Sequence, residues 1–368
     1  VSLGDELKRK QQEHIRTLEA ENRRLAAEIA KLRGTPQEVL DRQLLQRRIH
    51  RLTAKQTFYE VIGDRIIQAI RELPELPPVR PPKVAVPKAL HEEEAVLVIS
   101  DVQAGLTTSA KETGGLGEFN TQILLKQIEY LGDSLESIMR YHSNVRTLHV
   151  WFNGDIVEGS DIFLGQVREI DMNLVEQILF IKEHFARLLH RFARRFERVL
   201  CTGTIGNHGR MGRKGEHSPM ENFDYLVYKW LEERTRSIGN IKWTIPDTWW
   251  LINDVLGWRF LQVHGDDTGQ STWGIPFYGA GRHALRYQDM LRLSREKGFD
   301  WVVLGHHSEP AQFKNVIMAG SWPGGTEFSI KRLQLLDVPS APLFGVDRNH
   351  GKTWRRDIQL RPLKKRSD

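Results

Sequence analysis

The sequence predicts a layered α/β domain behind a helical N-terminal region. Three observations predict it. Short strand-type runs alternate with long amphipathic stretches after residue 90. Leu and Ile recur in sevens before residue 73. Six prolines (Pro74, Pro77, Pro78, Pro81, Pro82 and Pro87) separate the two patterns. Such a run cannot form a helix or a central strand and behaves as a semi-rigid spacer. The expected domains are therefore a helical coiled-coil or dimerisation region over 1–73, a Pro-rich linker over 74–90 and a catalytic-type α/β domain over 91–368.

Within residues 5–33, Ile15, Asn22 and Ile29 recur every seven residues, and Leu18, Leu25 and Leu32 follow each by three. Ile or Asn at a with Leu at d favours a parallel two-stranded coiled coil, one buried Asn fixing register. Glu28 and Arg33 stand at facing flank positions. A homodimer through this seam is the expectation; a helix packed on its own domain carries the same stripe. Gly34 breaks the helix, and Thr35-Pro-Gln-Glu38 reads as a capping box with Pro at the first helical position. A second helix follows to about Leu73, with Leu45, Leu52, Tyr59, Ile66 and Leu73 spaced by seven.

Beyond the spacer, Ala95–Ser100, Thr147–Asn153, Val199–Gly203, Trp258–Val263 and Trp301–Leu304 read as strands. Helices are expected over 121–140, 173–196 and 220–236. The helix at 173 opens on an Asn173-x-x-Glu176 capping box and shows one apolar face, Leu174, Ile178, Ile181, Phe185, Leu188 and Phe192. Leu343–Val346 and Trp354–Leu360, around Asp347-Arg-Asn-His-Gly351, resemble a β-hairpin.

Composition narrows the function classes. The 368 residues hold one cysteine, Cys201, which excludes an intrachain disulfide framework and a thiolate zinc module. The longest apolar runs fall far below the ~20 residues of a membrane span, and the first residues lack a signal-peptide core. A cytoplasmic protein without membrane contact is expected. The net charge of +6 is uneven. Residues 1–90 carry 18 Lys+Arg against 12 Asp+Glu, residues 91–349 carry 28 against 33, and residues 350–368 carry 7 against 2. Basic ends attract a polyanion such as nucleic acid.

The chemistry lies where the strands end. In order they end in Ser100-Asp-Val-Gln103, Asn153-Gly-Asp155, Gly206-Asn-His-Gly209, His264-Gly-Asp266 and Gly305-His-His-Ser308. Ligand sites of α/β sheets form at strand C-termini. Five successive strands deliver a carboxylate, amide or imidazole there. Such oxygen and imidazole donors suit Mn²⁺, Mg²⁺, Fe²⁺, Ni²⁺ or Zn²⁺. A pair of such ions clamps a phosphoryl group and generates a hydroxide nucleophile.

The ordered motifs resemble the calcineurin-like metallophosphoesterase superfamily, whose pattern is D-x-H, G-D, G-N-H-D/E, H and G-H-x-H. The likeness covers roughly residues 95–310, and Gly154-Asp-Ile-Val-Glu-Gly159, Gly206-Asn-His-Gly-Arg210 and His264-Gly-Asp266 read most like its phage and prophage branch. The resemblance implies a two-sheet sandwich flanked by helices and a site for one or two divalent ions, Mn²⁺ foremost. It implies Asp101 and Gln103 as ligands of a first metal, Asp155 as bridge, and Asn207, His264 and His306 as ligands of a second. His208 would assist the leaving oxygen, and Arg210, two residues on, would contact substrate phosphate.

Three residues depart from that pattern. Gln103 replaces a His, Ser308 replaces the final His, and Gly209 replaces the acid that orients the catalytic His. The first two weaken the same metal position. His307 is read as a structural neighbour rather than a ligand, Glu158 and Asp161 as rim residues without a role, and Thr268–Gly281 as a loop able to cover substrate. The implied activity is metal-dependent hydrolysis of phosphodiesters, foremost as a DNA nuclease. A small-molecule phosphatase, or a non-catalytic coiled-coil scaffold with a degraded metal site, is the alternative.

Overall fold

In a computed structural model the described residues are 3–31, 39, 41–50, 52–53, 56, 76–83, 92–163, 165–212, 214–216, 218, 220–268, 277–333 and 336–360. They divide into two compact units, Val1–Glu75 and Leu76–Asp368. Among them no helix is long and apolar enough to cross a membrane.

The first unit contains α1 (Leu3–Ile29) and a second helix, α2, described over residues 41–50. Asn22 Nδ2 donates to Thr53 Oγ1 at 3.4 Å, Arg48 pairs with Glu21 at 2.6 Å, and Gln56 Nε2 reaches Glu19 Oε1 at 3.4 Å. Residues earlier in α1 thus face residues later in the second helical stretch, so the two run antiparallel. Leu18 and Leu25 are each 5% exposed within the single chain, with Ile15, Asn22 and Ile29 half-buried beside them. Within the single chain a helical hairpin thus covers Leu18 and Leu25 of the heptad seam and leaves Ile15, Asn22 and Ile29 partly open. Leu32 to Glu38, with the Gly34 break and the capping box, and Tyr59, Ile66 and Leu73 lie outside the described residues.

The second unit is a sandwich of two mixed sheets. The larger has the order β11-β10-β1-β2-β3-β4 and the smaller β5-β6-β7-β9-β8. In the larger, β1 (Glu93–Ile99), β2 (Thr147–Asn153), β3 (Arg198–Thr204) and β4 (Ile241–Thr244) are parallel, joined by α3 (Thr121–Met139), α4 (Leu174–Ala193) and α5 (Phe223–Arg234). β10 (Ser340–Asp347) returns antiparallel on β1 and pairs with β11 (Gly351–Gln359) as the expected hairpin. The smaller sheet contains β5 (Trp250–Val255), β6 (Trp258–Val263), β7 (Trp301–Leu304), β8 (Ala311–Phe313) and β9 (Val316–Met318), with β6, β7 and β9 parallel. It is backed by α6 (Phe277–Leu293).

Period-two alternation builds the layers. Val96, Val98, Trp151, Phe344 and Val346 meet Phe260, Val303 and Ile317 between the sheets. Leu261, Val263, Val302, Leu304, Val316 and Met318 point the other way, against Ala280, Ala284, Tyr287 and Leu291 of α6. On the far face of the larger sheet, Phe152 packs on Phe185 and Tyr228 with ring centroids 5.7 Å apart in both cases. The Asn173–Glu176 capping box is present at α4, and all six residues of the expected apolar face are buried.

After residue 90 the strands and helices read from the sequence are present. β4, β5, β8, β9 and α6 were not anticipated. β4, β8 and β9 have only three or four residues, too few for a period to register. The tract Thr268–Gly281, read as a loop, is helical from Phe277; its residues 269–276, including Trp273, lie outside the described residues.

Candidate metal centre

β1, β2 and β3 of one sheet and β6 and β7 of the other end on the same side, and their polar ends meet there. Of eight non-glycine residues with positive φ among the described residues, five are Asp101, Gln103, Asp155, His306 and Ser308. Left-handed backbone of this kind costs free energy and persists where the surroundings over-determine it. Here it falls on residues that follow the ends of β1, β2 and β7. Two glycines are required by proximity. A Cβ at Gly206 would stand 2.2 Å from Asp155 Oδ1, and one at Gly305 would stand 2.0 Å from Ser100 Oγ.

The ligand atoms of Asp155, His264 and His306 all lie within 4.8 Å of one another. Asp155 is 1% exposed. Its Oδ1 accepts the His208 backbone N–H at 2.7 Å, and its Oδ2 stands 2.9 Å from His264 Nε2. His264 is also 1% exposed. Its Nδ1 is 2.8 Å from the carbonyl of Asn153, which turns Nε2 toward Asp155 and toward Asn207 Oδ1 at 3.2 Å. A backbone carbonyl on the remote nitrogen is the usual device for presenting the other nitrogen to a metal. Burial opposes ionisation of Asp155, but His264 and His208 hold its carboxyl well below the usual range. His264 is pushed up to about 10 against its burial, chiefly by Asp155, so a cation held by its Nε2 would have to displace that proton. Burial and His264 together push His306 down to about 4, leaving it neutral and able to ligate. A carboxylate, an amide oxygen and two imidazoles converging in a buried pocket fit a borderline divalent cation.

Asp224, which the sequence reading passed over, holds this arrangement together. It is buried at the start of α5, where Asn222 caps the helix. Its Oδ2 accepts the N–H groups of Asp155 and Gly206 at 2.9 Å, and its Oδ1 those of Ile156 at 3.0 Å and Val157 at 3.3 Å. One carboxylate thereby ties the loop after β2 to the loop after β3. An Asp in the first turn of a helix is so common a capping feature that its spacing gives no functional signal.

The first-metal residues are arranged differently. Asp101 is buried, but both its oxygens accept the His306 N–H at 3.0 Å, and Oδ2 also accepts the Ser100 hydroxyl. Gln103 Nε2 stands 3.5 Å from His208 Nε2, and the Gln103 N–H donates to the Asp155 carbonyl at 2.9 Å. His307 Nε2 lies 2.7 Å from Thr268 Oγ1, which in turn donates to the Gly265 carbonyl at 2.8 Å.

An acid other than one at position 209 lies beside the His208 ring. Glu158, 4% exposed, places Oε2 2.9 Å from His208 Nδ1. Its Oε1 accepts from Gln166 Nε2 at 2.8 Å, and the same amide donates to the Glu158 carbonyl at 2.6 Å. Position 209 has no room for a side chain, since a Cβ there would meet Asn222 Oδ1 at 2.4 Å. Glu158, which the sequence places at the rim with no assigned role, lies buried beside His208. Burial opposes protonation of His208, but Glu158 and Asp155 push it up to about 10. It is an imidazolium at neutral pH, with Phe163 lying over it at a centroid distance of 4.9 Å.

Arg210 reaches the same region, where its guanidinium pairs with Asp266. Lys214 pairs with Asp267 at 2.6 Å. Arg213 lies outside the described residues.

No family model matches the chain, and no curated protein matches it. Among solved structures the chain is similar to the calcineurin-like phosphoesterase YfkN from Bacillus subtilis, at 11% identity and a TM-score of 0.30, over 73% of this chain and 92% of that one. At those values the likeness carries no argument, and the functional reading rests on the geometry above.

Proposed function

We propose that the chain is a divalent-metal-dependent phosphoesterase acting on phosphodiesters, foremost as a nuclease. The observation that carries this reading is the convergence of Asp155, Asn207, His264 and His306 beside the Glu158–His208 pair. The four would hold a cation, Mn²⁺ foremost, which when bound supplies charge neutralisation at the phosphoryl group and a nucleophile at neutral pH. His208 holds a proton and would deliver it to the departing oxygen. Glu158 keeps that imidazole charged and aligned, and Gln166 keeps Glu158 in place. Asp224 fixes the backbone that presents Asp155 and Asn207. Nucleic acid is preferred over a small phosphoester because both ends of the chain are basic.

The test is a substrate panel on Mn²⁺-loaded protein: bis-p-nitrophenyl phosphate, the p-nitrophenyl monoester, and single- and double-stranded DNA. Hydrolysis of the diester and of DNA ahead of the monoester is expected. A monoester preference, or no turnover of any substrate with metal bound, would overturn the reading.

A further inference from the structure

Two neighbouring tryptophans at the start of β5 meet different fates. Trp250 is half-buried and packs into the core under α6. Trp249 is 46% exposed and lines a cavity of about 230 Å³ whose lining also includes Gly206 and His264. Its indole N–H donates to Tyr287 Oη at 2.9 Å, so the ring is held in place although half of it faces solvent. Tyr287 is 8% exposed and is edged by the His283 ring at 4.8 Å and the Trp250 ring at 6.3 Å. His283 also lines the cavity, and its Nδ1 has no hydrogen-bond partner among the described residues.

The cavity is not built for phosphate. Each of its two described cations is matched by an acid on the same wall, Arg210 by Asp266 and Lys214 by Asp267. What remains is an exposed, braced aromatic face with hydrogen-bonding groups around it. The volume lies below the roughly 300–1,000 Å³ of pockets for drug-sized ligands, which suits one planar ring system.

Resting on the phosphodiesterase reading, we infer that this cavity is a nucleobase subsite: Trp249 stacks one unpaired base of a polynucleotide whose phosphate lies at the Asp155–His264 centre. A base can enter such a cavity only when it has left its stack. The preferred substrate is therefore single-stranded nucleic acid or a frayed end.

Anisotropy of a labelled single-stranded oligonucleotide, and of the same strand made abasic, titrated with the full chain tests this. Wild type is expected to bind the base-bearing strand about 10–100-fold more tightly, the range for one base–aromatic stack. Trp249→Ala should erase the difference and Trp249→Phe should retain most of it, with thermal melts confirming that both variants fold. Equal binding of the two strands by wild type, or a preference that survives Trp249→Ala, would overturn the subsite even if both strands are hydrolysed. Base-dependent binding lost in Trp249→Ala, in a protein that hydrolyses no phosphodiester, would support the subsite and refute the phosphodiesterase reading.

Discussion

The two halves of the centre use similar residue types to different ends. Around Asp155 the donors face one another: His264 Nε2 is 2.9 Å from Asp155 Oδ2 and 3.2 Å from Asn207 Oδ1. Around Asp101 the carboxylate oxygens are engaged by the His306 N–H and the Ser100 hydroxyl. Each carboxylate accepts a backbone N–H, Asp155 from His208 and Asp101 from His306, but among the described residues it is Asp155 whose carboxylate converges with the ring nitrogens of His264 and His306. The difference teaches that ligand identity alone does not make a metal position; the donor atoms must also converge on one point.

The strongest way to break this comparison is to remove the shared carboxylate. Asp155→Ala should reduce ion binding, followed by calorimetry, and hydrolysis to background. Next in size is the proton donor. His208→Ala should lower kcat by about 10²–10⁴-fold with ion affinity intact, and less on an aryl phosphate, whose leaving group needs little protonation. Glu158→Gln should cost about tenfold to a hundredfold. The sign of its pH effect is fixed. His208 must be protonated to act, so activity falls as pH rises through its pKa. Removing Glu158, its largest source of support, moves that falling limb to lower pH.

Two further variants sharpen the comparison. Asp224→Asn leaves the metal donors in place but weakens the tether between their loops. It should cost about 10–100-fold in ion affinity, the usual scale for groups behind the ligands, read by titration with Mn²⁺. The smallest change is expected from the opposite half. Gln103→His with Ser308→His supplies two imidazoles there and should raise the number of ions bound per chain, counted by metal analysis after dialysis, with little change at the tight position.

Much of this centre is legible in the sequence, because Asp155, Asn207, His264 and His306 follow strands whose apolar runs announce themselves. The parts that support it are not. Glu158 and Asp224 act through contacts that close only when β2, β3 and α5 are assembled, and in sequence each is one more acid near a turn. Gln166 is likewise invisible until the chain brings it back onto Glu158. The heptad seam of α1 was legible as a seam, but Leu18 and Leu25 cannot say whether the covering helix comes from the same chain. Trp249 and Trp250 are adjacent and alike in sequence, and only the assembled fold sends one to the core and the other to the cavity.

The central claim is that one position, formed by Asp155, Asn207, His264 and His306, binds a divalent ion more tightly than the position beside Asp101. Anomalous scattering from crystals equilibrated with Mn²⁺ from below one equivalent to a large excess tests it most directly. The account predicts density at the Asp155–His264 position first, with any peak near Asp101 and Gln103 only at excess metal. Equal occupancy of both positions at substoichiometric Mn²⁺, or filling near Asp101 first, would contradict it.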